Sequence, residues 1–93
     1  MNVGILTIDI HLRESGCLKD KRRVLRRLKD RMRNNFNVSV AEIGDADKWQ
    51  KAVLAVAVVS KGKKHVSECL DKIMNFVRED KRITVVDYSA EVL

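Results

Sequence analysis

The chain has 93 residues, 45% of them apolar and 34% charged, and carries a net charge of +6. That length allows one domain, residues 1–93, with a modest core; the apolar content excludes disorder, and no apolar run approaches the ~18 residues that a membrane span needs. Two cysteines in neither a CxxC nor a zinc spacing, and a start without the cationic and apolar blocks of a secretory signal, predict a reduced cytoplasmic protein without membrane contact, metal or cofactor.

Asn2 to Leu12 alternates strictly, with Leu6, Ile8, Ile10 and Leu12 on one side and Val3, Ile5, Thr7, Asp9 and His11 on the other, which predicts a strand. Asp9 and His11 share a face at i, i+2, the spacing at which a carboxylate can orient an imidazole, although the polar end of an ordinary strand has the same pattern. After a short polar connection, Cys17 stands at the N-cap position of a helix, with Asp20 as half of a capping box.

The helix itself, Leu18 to Asn34, holds nine Lys or Arg against two Asp, so its cations outweigh the charge of the whole chain and leave the remainder near neutral. On a wheel of about 100° per residue, Leu18, Val24, Leu25, Leu28 and Met32 fall in one arc, a core-facing stripe. Arg22, Arg26, Lys29 and Arg33 follow at i, i+4, i+7, i+11 along roughly 16 Å of the adjoining face, a row that suits a phosphate backbone. Lys21 projects into the apolar arc and is expected to snorkel past the core. Surface helices usually mix signs to gain i, i+4 pairs, whereas most of these cations have no acidic neighbour at that spacing.

Asn34 and Asn35 supply a left-handed stop signal, followed by a second strand from Phe36 to Ile43. Gly44 to Lys48 reads as a hairpin loop, with Trp49 beside it as a hairpin anchor or stacking surface. Trp49 to Ser60 forms a third strand, apolar at every position from Ala52 to Val59, which marks a central strand covered on both faces. Ser60 is placed to cap a second helix, Lys61 to Glu79, whose Val66, Leu70, Ile73 and Val77 repeat at helical spacing with Cys69 as a small core side chain. Its start adds a small basic cluster, Lys61, Lys63, Lys64 and His65. A last strand, Arg82 to Asp87, precedes a tail that is amphipathic and able to fold back.

Strand, helix, strand, strand, helix, strand with a central hairpin defines a ferredoxin-like α+β sandwich, with two helices on one face of a four-stranded antiparallel sheet. The first and third strands should be central. Their second face carries an apolar patch that a partner subunit or the C-terminal tail should cover, which predicts a homodimer.

Three stretches, VGILTIDIHL near the start, LKDKRRVLRRL from Leu18 to Leu28 and FNVSVAEIGDADKWQKAVLAVAVVS from Phe36 to Ser60, resemble the YlxP-like family of small bacterial proteins. The resemblance spans nearly the whole chain and implies a ferredoxin-like fold. Members of the family have no assigned function, and their genes commonly sit with those for translation initiation and ribosome-binding factors, which implies a role near ribosomal RNA. Cys17 departs from the family pattern, standing where relatives usually carry the Ser of an SLK-(D/E)-KR motif.

The fold hosts many activities, so function has to be read at the site. The central strands offer no aromatic platform of the kind an RNA-recognition motif uses, Gly62 to His65 lacks the second glycine of a KH loop, and paired metal-binding cysteines are missing. The expectation is therefore a non-enzymatic RNA- or ribosome-associated module binding phosphates through Lys19, Arg22, Arg23, Arg26, Lys29 and Arg33, extended by Lys63 and Lys64. The alternative is a protein-interaction or small-ligand regulatory module that dimerises through its sheet face.

Overall fold

The structure, a computed structural model, describes all residues from Met1 to Leu93, in the order β1 (Asn2–Leu12), α1 (Leu18–Asn35), β2 (Ser39–Gly44), β3 (Lys51–Ser60), α2 (Lys63–Arg78) and β4 (Ile83–Val92). The sheet order is β2-β3-β1-β4 with every neighbouring pair antiparallel, so the ferredoxin-like arrangement holds, with β1 and β3 central. These connections make the two helices antiparallel on one face of the sheet.

The alternation read along β1 is realised in full: Leu6, Ile8, Ile10 and Leu12 are at most 2% exposed. They meet Ala52, Leu54, Val56 and Val58 of β3, then Leu25, Leu28 and Met32 of α1 and Val66, Leu70, Ile73 and Val77 of α2, in one contiguous core. Gly4 belongs to the same inner row, and a Cβ there would collide with the Val66 side chain, so glycine lets α2 lie close on the strand.

Several boundaries differ from the sequence reading. α1 ends without a left-handed residue, because Phe36 is extended at φ −139° and donates its N–H to the Met32 carbonyl, while Asn35 Nδ2 bonds the Arg31 carbonyl. Phe36 and Val38 pack against the core before β2 begins, with Phe36 edge-on to Phe76 at 5.4 Å. The turn into β3 runs on to Gln50, its Asp45 being one of two non-glycine residues at positive φ, and Trp49 is 55% exposed in it. Gly62, not Ser60, is the N-cap of α2; the Ser60 hydroxyl instead meets His65 Nδ1 at 2.7 Å.

The C-terminal residues do not fold back over the sheet. They extend β4 along the edge of β1, pairing Val92 with Gly4, and Leu93 N–H donates to the Val3 carbonyl. The outer face of the sheet is therefore covered by nothing in this chain: Val3, Ile5, Val53, Ala55 and Ala57 are half-buried only by their neighbours, and Val59 is exposed.

Candidate polyanion-binding surface

The cationic surface begins at the N-terminus of α1. Cys17 has the extended backbone of an N-cap, yet its side chain makes no capping bond, and Asp20 accepts from the Gly16 N–H at 3.2 Å rather than from Cys17. The local reason is chemical: a thiol is a weak acceptor, so the role that Ser, Thr, Asp or Asn fills at this position goes unfilled.

Lys21, on the buried side of α1, is 1% exposed. It does not snorkel to solvent. Its Nζ lies 3.0 Å from Glu42 Oε2 of β2 and donates to the Asp45 carbonyl at 2.5 Å. The contact with Glu42 is ionic, off the line of a directed hydrogen bond. Gln50 Nε2 adds a bond to the carbonyl of buried Ser15, so the loop before β3 is tied to the start of α1 from two sides.

The opposite side of α1 is open. Lys19, Arg22, Arg23, Arg26 and Arg27 are exposed and Lys29 half-buried, and none of the six forms an ion pair or side-chain hydrogen bond. Arg33 is different: its guanidinium donates to the Val40 carbonyl at 3.0 Å and stands 3.8 Å from Asp30. This bond identifies the flank along which Arg22, Arg26, Lys29 and Arg33 run as the one facing β2. Arg23 turns to the other flank, into a cavity of about 310 Å³ that it shares with Arg13, Arg82, Glu14 and Asp20. Arg31 is also engaged, 5.1 Å above the Phe76 ring and 3.6 Å from Asp80.

Lys63 and Lys64 are exposed on the first turn of α2. Because the helices are antiparallel, they lie at the end of the molecule opposite Lys19, beyond Arg33, and belong to a separate patch. Two features were not anticipated. Arg27 joins the unpaired cations, its only signal being membership of the same basic run. His65 gathers Ser60 at 2.7 Å and Cys69 Sγ at 3.8 Å from Nε2, beside a groove lined in part by Phe36, Val38 and Lys72; the i, i+4 spacing of His65 and Cys69 was the visible hint. Asp9 and His11 share the outer sheet face as predicted but form no bond with each other.

Asp80 is nearly buried after α2, and the Arg82 guanidinium, bonded to it at 2.9 and 3.1 Å, holds its carboxyl below the usual carboxylate range against the opposing effect of burial. The same pair raises Arg82.

The outer sheet face carries carboxylates beside the exposed Lys51. Asp9 and Asp87 stand directly opposite each other on β1 and β4, with Glu91 further along β4, and none of the three is paired with a cation. No aromatic residue points out from that face. That face therefore offers no strand-borne aromatic platform of the kind an RNA-recognition motif uses.

The fold and the basic helix define a small two-layer α+β protein with segregated charge. The chain belongs to the family described as protein of unknown function (DUF503), which matches residues 3–90. It is 35% identical over 75 residues to the uncharacterized protein YlxP of Bacillus subtilis (strain 168), covering 81% of this chain and 82% of that one. Among solved structures it is similar to the de novo designed protein Foldit4, with a TM-score of 0.55 and 14% identity over 100% of this chain and 97% of the other, a likeness of fold alone. No helix is long and apolar enough to cross a membrane.

Proposed function

We propose that this protein is a non-enzymatic, cytoplasmic RNA- or ribosome-associated module that lays α1 along a phosphate backbone. The observation that carries the reading is the set of exposed, unpartnered cations Lys19, Arg22, Arg23, Arg26 and Arg27, with Lys29 beside them. Surface side chains that gain nothing from internal pairs retain their full charge for a ligand, and like charges on one helix cost stability. Resemblance to a family encoded beside translation factors points the same way.

Contacts of this kind position a protein without reading bases. Binding should tolerate sequence and fall steeply with salt, with a log-log slope of roughly −3 for about four neutralised phosphates. The test is binding to purified small-subunit ribosomal RNA across a salt series, followed by the fluorescence of Trp49, the single tryptophan. The triple variant Arg22→Ala, Arg26→Ala, Lys29→Ala removes the unpartnered members of the row and should make the slope shallower by about two units. A flat salt response in the wild type, or equal slopes in both proteins, overturns the reading.

The protein-interaction alternative is favoured by one observation, the uncovered outer face of the sheet. Pairing through that face is compatible with phosphate binding on α1, because the two surfaces lie on opposite sides of the molecule.

A further inference from the structure

We infer that the outer face of the sheet is the interface of a twofold dimer in which two copies pack sheet against sheet with their strands aligned. The argument is independent of the phosphate-binding reading and rests on how the residues of that face are distributed.

The register arranges the face in cross-strand rows: Val3 beside Val59, Ile5 beside Ala57, Thr7 beside Ala55, Asp9 beside Val53, and His11 beside Lys51. On the flanks, Ser39 and Ala41 of β2 lie next to Ala57 and Ala55, while Glu91, Ser89 and Asp87 of β4 lie next to Ile5, Thr7 and Asp9. One end is apolar, the middle is small and flat, and the other end carries both signs of charge.

This pattern selects an occupant and a symmetry. Consider a twofold axis parallel to the strands, running between β1 and β3. It exchanges these strands, so each residue meets the second copy of its own cross-strand neighbour. Val3 then packs on the partner's Val59, and Ile5, the largest apolar side chain of the face's central strands, sits over the partner's Ala57. Thr7 meets the partner's Ala55, Glu91 of β4 faces the partner's Ser39, and Asp87 comes to the bulged end of β2, where the exposed Ile43 stands. Asp9 lies over the partner's Val53, and the partner's Lys51 comes one row from it, supplying the cation that the Asp9–Asp87 pair lacks. Like charges directly opposite on neighbouring strands cost stability when left alone, which gives this pairing a driving force. An axis across the strands would instead press Asp9 onto the partner's Ile5 and carry the partner's Lys51 away to the Val59 end, leaving the carboxylate no cation. Aligned packing at about −30°, with the faces about 10 Å apart, is the usual geometry for two twisted sheets.

Size agrees with a reversible association. Four strands about 4.8 Å apart and some nine residues long at about 3.3 Å rise cover roughly 500 Å² per copy, or about 1,000 Å² in total, the lower bound for a specific interface.

Sedimentation velocity over a concentration series tests the proposal, with circular dichroism confirming that each variant is folded; the altered positions all lie outside the core. The wild type should show a monomer–dimer equilibrium. Ala57→Arg, which fills the seat of Ile5, should weaken it at least about tenfold, equivalent to 1.4 kcal/mol. Lys51→Asp should weaken it about fivefold, and adding Asp9→Lys to that variant should restore most of the loss, because the charges are swapped across the interface. A wild type that stays monomeric at several hundred micromolar overturns the proposal and leaves the face to a different protein. Undiminished dimerisation of Ala57→Arg overturns it in favour of an exposed strand edge. Failure of the charge swap to restore the dimer overturns the aligned arrangement.

Discussion

Lys21 illustrates how a single residue can be misjudged from periodicity and still be placed by it. Its position in the apolar arc was legible, but its destination was not, since Glu42 and the Asp45 carbonyl come from a strand and a turn more than 20 residues away. A buried ammonium is tolerable only with such partners. Lys21→Ala should cost about 2–3 kcal/mol in urea denaturation, less than a fully buried pair because Glu42 is a quarter exposed, whereas Lys21→Met with Glu42→Leu should recover most of it. Asp80 gives a pH dependence of defined sign. Its folded pKa is lowered from 3.8, chiefly by the Arg82 hydrogen bond, so its contribution to stability is complete above the unfolded value and lost as pH falls through the folded one. Asp80→Asn should be less stable than wild type at neutral pH, and the gap should close below about pH 4 when stability is followed by denaturation at a series of pH values.

At the level of elements, each helix is fixed more by what it buries than by how it is capped. The Cys17 side chain makes no capping bond and Gly62 has none to offer, and α1 stops where Phe36 leaves the helix to pack on Phe76. α2 depends on a small residue across from it. Gly4→Ala drives a methyl into Val66 and should destabilise by about 1–3 kcal/mol, lowering the thermal midpoint, although alanine suits a strand better than glycine does. Phosphate binding by α1 is also an element-scale expectation: three unpartnered side chains at i, i+4, i+7 should account for about two units of salt slope.

Across the whole molecule, charge is sorted by layer. Cations occupy the solvent side of α1, whereas Asp9, Asp87 and Glu91 stand on the far side of the sheet. On the reading proposed for α1, a phosphate chain would be drawn to the helical side. If two copies join through their sheets, the two α1 helices point outward in opposite directions, and a single dimer presents two cationic faces. Such a bivalent particle would gain affinity for RNA segments that it can span at once. Loss of the dimer in Ala57→Arg should then weaken binding to long RNA while leaving binding to a short oligonucleotide unchanged, a comparison that separates avidity from direct contact.

The sequence by itself determined the six elements, their order, the inner face of β1 and the cationic stripe of α1, because these follow from periods of 2 and 3.6 and from local charge, which need no distant partner. Strand ends were less legible: β4 runs five residues beyond Asp87, because pairing with β1, not local propensity, keeps Tyr88 to Val92 extended. Only the tertiary structure decided which cations are free. Arg33 and Arg31 look like Arg22 and Arg26 in the sequence, yet the fold brings the Val40 carbonyl to one and Phe76 with Asp80 to the other. It also decided that the tail completes the sheet edge and leaves the outer face uncovered, since that choice depends on backbone hydrogen bonds between the two ends of the chain.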